Sequence, residues 1–517
     1  MSDIASPVPV APISTPLPYA APGTTAPPLD LDSPSLPLGR DGGSLRSRAI
    51  RGTVWTTSGY SIAQVVRLAV NLILTRLLHP HLFGLMTLVN IFVQGLQGFS
   101  DVGIGPAIIQ SKRGDDPAFL NTAWTVQVLR GIALGTVAAL IAWPVSRLYG
   151  EPQLIWLLPV AGLAAVIAGF NSTSLFTLNR HLDVGKLTLQ SLAGQLVGAG
   201  VMVVLAILYP SVWALLAGNL AAAISTLVLS HKLLPGRRNR FHWDAAAARE
   251  MMSFGRWIFL STLLTFLALQ ADRLIFGKLI SLADLGVYGV AAMMAALPTQ
   301  AILKLGGSVV FPAYSRAKAA GADFQDVFDR VRLPLLAGAG LVTTALVAGG
   351  HHVIELLYDP RYHRAGWMLQ MLAVSGWFQV MQVTNGSALL ALGSPRSVAA
   401  ANVVKLSSMV LFVPLGFWWH GLLGGIVGII LSDVMKYVAS SALVSRMGLH
   451  MLWKDLMLSA FVAATSLGAL WSAGRVHSWT GGTQAGGVLA LGVVAVLTCA
   501  VWLPVVARSL RSRKAVS

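Results

Sequence analysis

Charge is what this sequence has least of. Only 11% of its 517 residues are Asp, Glu, Lys or Arg, against about 25% in an ordinary soluble domain. With 55% hydrophobic residues and a mean hydropathy of +0.69, a soluble globular chain is excluded and an integral membrane protein implied. Cysteine is nearly absent too. The single Cys499 sits in an apolar run, which rules out a disulfide framework and a cysteine-based metal site. Acids are scarcer than bases, 20 against 37, for a formal charge of +17. That surplus does not mark a nucleic-acid binder. The basic residues fall in short loops between apolar runs, not in a patch interleaved with aromatics. They read as topology signals and as contacts to anionic membrane lipids. No loop is long enough to fold as a domain, so any chemistry happens in the membrane or at its edge.

Residues 1–45 are a different polymer. They hold ten of the 25 prolines and no apolar core, unlike a signal peptide. They read as a disordered, partly extended cytoplasmic tail, either passive or partner-binding.

A spanning helix needs about 20 apolar residues. Fourteen such segments follow, near 54–78, 82–110, 120–145, 153–178, 186–208, 211–233, 252–278, 284–310, 331–350, 366–392, 398–418, 421–444, 456–474 and 485–507. With the N-terminus in the cytoplasm, 24 of the 37 Lys and Arg lie in inner loops or at inner ends. Six lie at the outer side and seven within spans. That bias supports an even number of spans with both termini cytoplasmic.

The halves resemble each other. A shift of 202 residues sets Trp55 on Trp257, Ala69 on Ala271, Leu72-Ile73 on Leu274-Ile275, Arg76 on Lys278, Leu77 on Leu279 and Gly84 on Gly286. Each match opens a block of six spans. Repeats of this kind mark transporters with a site between the two halves near the midplane. The division expected is therefore a tail (1–45), an N-terminal lobe (46–235), a C-terminal lobe (236–450) and a pair of extra spans with a basic tail (451–517).

The first span carries Tyr60, Gln64, Arg67 and Asn71 on one helical face, extended by Thr75. A charge at the bilayer centre costs at least ~3 kcal/mol. The stripe must therefore face a bundle interior or a watery cavity. Further cations lie within spans: Arg130, Arg256, Arg273, Lys304, Lys405 and Lys436. The acids are Asp101, Asp272 and Asp433. Asp433 and Lys436, three apart, are expected to pair or to act as a protonation switch. Asp272 and Arg273 are adjacent and point different ways. Arg256 and Lys304 lie close enough to inner ends to snorkel. Set against the three acids, the seven cations leave an excess of about four after every possible pairing. Buried cations need water or an anion to offset them. Phosphate suits, since Arg grips its oxygens through a planar fork and Lys acts as a point charge. The substrate-binding candidates are Arg67, Arg130, Arg273 and Lys405, with Gln64 and Asn71. Asp272, Asp433 and Lys436 are the candidates for ion coupling.

RLLHPHLFGLMTLV followed by FSDVGIGPAIIQ resembles the start of bacterial polysaccharide flippases, the Wzx-type or polysaccharide-exporter members of the multidrug/oligosaccharidyl-lipid/polysaccharide (MOP) superfamily. ADRLIFGKLISLADLGVYGVA resembles the opening of their second half, and LLYDPRYHRAGWMLQML their entry to span 10. The similarity covers about residues 45–450. It implies an all-α membrane fold with two six-helix lobes, two extra C-terminal helices and a central cationic cavity. It also implies transport of an undecaprenyl-pyrophosphate-linked oligosaccharide between leaflets of the inner membrane, beside polysaccharide polymerase and export machinery. No cofactor or catalytic residue is expected. Arg67 and Arg273 match the family in basic character only.

Three rivals remain open: a multidrug exporter, which would expose acids instead of arginines; a lipid II flippase; and a membrane glycosyltransferase or polymerase. Such enzymes usually present an acid or Arg-rich set on a sizeable outer loop. The longest outer loop here runs about 16 residues, from His351 to Gly366. Its histidines 351, 352 and 363 read as solvated, since no acidic or Cys partner has ligand spacing.

Overall fold

A computed structural model describes residues 45–514, apart from 100–103, 112, 182, 233–238, 306–308, 322 and 481–482. The Pro-rich tail to Ser44 and Asp101 lie outside the described residues, as do the side chains of Arg256 and Lys304. Every regular element described is helical. In the first half these are α1 (Leu45–Leu77), α2 (Pro80–Phe99), α3 (Ile104–Gln110), α4 (Pro117–Tyr149), α5 (Leu154–Gly169), α6 (Ser174–Arg180), α7 (Val184–Leu208) and α8 (Val212–Lys232). In the second they are α9 (Ala245–Leu279), α10 (Leu282–Leu305), α11 (Phe311–Ala319), α12 (Phe324–Leu357), α13 (Ala365–Ala391) and α14 (Pro395–Ser445), followed by α15 (Leu452–Trp479) and α16 (Gln484–Lys514).

Each of the fourteen apolar segments coincides with a helix, a pair of consecutive helices or one arm of a broken helix. By length and apolar composition alone, nine of the described helices qualify to cross a membrane, or ten if the bent pair α5–α6 is one span. In lipid a backbone must satisfy its own hydrogen bonds, which is why apolar runs of this length become helices. The scarce acids are spent where helices begin. Asp116, Asp244 and Asp323 cap α4, α9 and α12 with their carboxylates, satisfying N–H groups that no turn precedes. α14 is a helical hairpin. His420 and Gly421 leave helical geometry, Gly421 at φ 59°, where only glycine is comfortable.

α1 packs on α7, α4 on α5 and α7 on α8, while α12 packs on α13, α13 on α14 and α14 on α9. α15 and α16 lie against each other and against α12. The halves meet mainly where α2 packs on α10 and α9, and where α4 packs on α9. The α2–α10 crossing is tight because of two glycines. A Cβ on Gly84 would stand 1.9 Å from the Leu282 carbonyl oxygen, and one on Gly286 would stand 2.0 Å from that of Pro80. These are the glycines that the 202-residue shift superposes. Each sits one turn into its helix and touches the start of the other, as a pseudo-two-fold axis requires.

At this end, which the sequence reading expects to be the outer one, one apolar core runs through both halves. It includes Leu78, Leu85 and Leu154 of the first and Phe276, Tyr288 and Ile354 of the second. At the opposite end the described residues form separate clusters. One holds Ile108, Phe119 and Met251, the other Val310, Tyr314 and Phe328. The first of these clusters also takes in Ala247 and Met251 from the start of α9, so the halves touch at this end too, while the second cluster belongs to the second half alone.

Candidate functional site

The polar stripe of α1 lies beside its packing face. Gln195 of α7 donates to the Ala63 carbonyl at 2.7 Å, so residues near 63 face α7. Tyr60, Gln64, Arg67 and Asn71 lie to one side of that contact. The outer member shows where the stripe points: Asn71 Oδ1 accepts from Tyr358 Oη at 2.9 Å, and Tyr358 belongs to the other half. Gln64 Nε2 donates to Tyr60 Oη at 2.9 Å, and Gln64 Oε1 is buried with no partner. Arg67 is exposed. Among the described residues no carboxylate pairs with it.

The other predicted cations are held. Arg130 Nη2 donates to the Gln97 carbonyl at 2.7 Å. Arg273 Nη1 donates to Gln270 Oε1 at 2.6 Å, a charge-assisted bond to a neutral acceptor that orients the guanidinium without neutralising it. Gln270 Nε2 in turn donates to Gln94 Oε1 of α2 at 3.3 Å. Asp272, on the adjacent face, accepts from Tyr288 Oη, and its second oxygen is buried with no partner.

Lys405 and Asp433 correct the expected pairing. Lys405 Nζ lies 2.7 Å from Asp433 Oδ1, with the side chains 6% and 0% exposed. Asp433 Oδ2 also accepts from Ser375 Oγ and from Gln379 Nε2. The physical reason is the α14 hairpin: its reversal at His420–Gly421 sets the arm bearing Lys405 against the arm bearing Asp433. A contact across the hairpin takes the place of a local ion pair, and Lys436 lies half-buried beside it. Lys405, expected in a cationic cavity, is neutralised in this conformation. Asn71 is likewise engaged at the contact between the halves.

That contact has two related parts. Tyr149, at the end of α4, donates to the Leu274 carbonyl of α9 at 3.2 Å, and Lys278 Nζ donates to that of Leu148 at 2.6 Å. Tyr358, just past α12, reaches Asn71 of α1. Arg361 Nη2 donates to the Arg76 carbonyl at 3.0 Å and Tyr362 Oη to that of Leu78 at 3.2 Å. Each half's third span therefore ends in a tyrosine bonded to the first span of the other half. Asp359, outside the spans, is held below the usual carboxylate range by its hydrogen bond to Arg361. At the inner loops Arg113 does the same for Asp244, the α9 cap, at 2.9 Å.

The outer loop is shorter than the sequence suggested, because α12 continues to Leu357. His351 and His352 sit on that helix and face Glu355 at 3.2 and 3.5 Å. His477 of α15 approaches His352, ring centroids 5.0 Å apart. Among the described residues no group of three such side chains is arranged to hold a metal ion. A second buried pair, Arg332–Asp455 at 2.8 Å, joins α12 to α15, with Tyr437 donating to the same carboxylate oxygen. The sequence reading missed this pair because both residues flank loops. It also missed Gln94, although Asn90, Gln94 and Gln97 share one face of α2 at helical spacing.

The architecture is that of MOP-superfamily membrane transporters. A solved structure of a lipid II flippase, MurJ, in an inward closed conformation aligns with a TM-score of 0.66 over 90% of this chain and 100% of that chain, at 12% identity. A multidrug resistance MATE family transporter in an inward-facing conformation aligns at 0.60 over 80% and 99%, with 15% identity. The lipopolysaccharide biosynthesis protein WzxC of Escherichia coli K12 is 23% identical over 81% of this chain and 85% of its own length. Residues 73–366 match the polysaccharide biosynthesis protein family, and the chain, a multi-pass membrane protein, belongs to that family.

Proposed function

We propose that this protein moves a lipid-linked oligosaccharide, carried on undecaprenyl pyrophosphate, from the cytoplasmic to the periplasmic leaflet by alternating access. The observation that carries this reading is Arg67: a mid-span guanidinium, exposed and without a carboxylate partner among the described residues, on a stripe whose end meets the other half. Such a charge is stable only in water or against an anion. A diphosphate headgroup entering between the lobes meets Arg67 first, then Arg130 and Arg273, the latter held by a neutral acceptor that leaves its charge available. The tail stays in hydrocarbon. The chain performs no bond chemistry; it exchanges the water around the headgroup for fixed donors.

The state described is read as shut at the outer end, where one core runs through both halves; at the inner end the start of α9 packs on the first half, and the cluster of Val310, Tyr314 and Phe328 stands apart. That is the loading state if both termini are cytoplasmic. Rocking about the Gly84–Gly286 crossing exchanges these conditions. Asn71 belongs to the outer closure in this scheme, not to sugar binding. The membrane potential drives a net anion outward by ~2.3 kcal/mol per charge per 100 mV, but cavity cations that neutralise the cargo cancel that push. Coupling then falls to Asp272 and to the Asp433–Lys405 pair, with Lys436 beside it.

The test uses a strain lacking the gene, scored for accumulation of lipid-linked oligosaccharide. Wild type clears the intermediate. Arg67→Ala and Arg273→Ala slow clearance at least about tenfold, the usual worth of a charged hydrogen bond, at unchanged protein level. Clearance by both variants at the wild-type rate would refute the site. Sugar transfer by the purified protein would replace transport with catalysis.

A further inference from the structure

The two arginines at the centre of this reading are held differently. Among the described residues no carboxylate pairs with Arg67, whereas Arg273 has its guanidinium fixed by Gln270, and Gln270 is fixed by Gln94. Gln94 lies on α2 of the first lobe, and Gln270 and Arg273 lie on α9 of the second. The relay therefore crosses from lobe to lobe.

We propose that Gln270 is a positioning residue that aims Arg273 at the diphosphate, and that Gln94 ties this aim to the lobe arrangement. The inference rests on the reading of Arg273 as a headgroup contact. A long arginine side chain has considerable rotamer freedom, and a bond that fixes it in advance spares the ligand that cost. An amide serves better than a carboxylate here, because it accepts from the guanidinium and leaves its charge available. Asp272, the neighbouring acid, is engaged by Tyr288 on the adjacent face and does not cancel it. Since α2 and α9 belong to different lobes, rocking must stretch or break the Gln94–Gln270 bond. Arg273 then loses its support as the outer end opens, which favours release of the headgroup on that side. The cation's aim becomes a function of conformation, with no change in its protonation.

The experiment measures the dissociation constant of farnesyl pyrophosphate for the purified full-length protein, at fixed salt and pH. Arg273→Ala weakens binding about tenfold, one charged contact. Gln270→Leu and the shape-conserving Gln270→Met each weaken it about fivefold, as expected for lost preorganisation. Neither has a further effect in the Arg273→Ala background, where there is nothing to aim. Gln94→Leu gives a smaller loss, about twofold, absent in the same background. Gln270→Glu keeps the bond but cancels the charge, and weakens binding as much as Arg273→Ala. Wild-type binding by both Gln270→Met and Gln270→Leu overturns the relay, and so does a Gln270 effect that persists in full without Arg273. If Arg273→Ala itself binds as wild type, the headgroup reading of Arg273 fails first. That result is distinct from failure of the relay alone.

Discussion

Arg67 in α1 and Lys405 in α14 are alike in the sequence: each is a lone cation in an apolar run. In the folded chain they are opposites. Arg67 is exposed, with no acid near it among the described residues. Lys405 is buried against Asp433, whose carboxylate also collects Ser375 and Gln379. The contrast extends to the lobes around them. The second lobe spends its charge on pairs, Lys405–Asp433 within α14 and Arg332–Asp455 from α12 to α15. The first leaves Arg67 without a carboxylate partner among the described residues. A buried cation is thus not in itself a sign of a ligand site; its partner decides whether it binds cargo or holds helices together.

Breaking the pair should produce the largest effect. Lys405→Met leaves Asp433 buried without its paired cation, and such losses run to about 3–5 kcal/mol. A large fall in thermal midpoint in detergent is expected, recovered by the double variant Lys405→Met/Asp433→Leu. Arg67→Met, in contrast, should leave the midpoint nearly unchanged. Equal destabilisation by the two single variants would erase the distinction. Next in size is the lobe crossing. Gly84→Ala forces a methyl into the Leu282 carbonyl and should cost about 1–3 kcal/mol, with Gly286→Ala matching it if the pseudo-symmetry holds; both are read from the same midpoints. Smaller still is the outer closure. Tyr358→Phe and Tyr149→Phe each remove one hydrogen bond, about 1 kcal/mol. Each should raise the labelling rate of a cysteine placed at Ser281 severalfold from the outside while leaving the midpoint within a degree or two. An unchanged rate in both would mean that these tyrosines do not hold the end shut.

Much of this was legible in the sequence. Apolar length alone located the helices, because a backbone in lipid has no alternative to the helix. The repeat was legible through Gly84 and Gly286, since close backbone approach admits no other residue. The expectation that the Arg67 stripe faces a bundle interior or a watery cavity came from the cost of a charge in lipid. What escaped were contacts made across chain reversals. The Lys405–Asp433 pair depends on the turn at His420–Gly421, while helical spacing offers Lys436 as a nearer partner. Asn71 looked like a cavity residue because nothing in its neighbourhood reveals Tyr358, 287 positions away. Gln94 and Gln270 are neutral amides, and a search for charge passes over them.

One measurement bears most directly on the claim that the Arg67 face is wet and receives a diphosphate. Arg67→Cys is made in a Cys499→Ser background, which removes the chain's only other thiol. It is then exposed to a membrane-impermeant charged thiol reagent in inside-out vesicles. The account predicts rapid labelling that farnesyl pyrophosphate slows. A thiol at position 67 that stays unlabelled from either side of the membrane, or whose labelling ignores the pyrophosphate lipid, would contradict it.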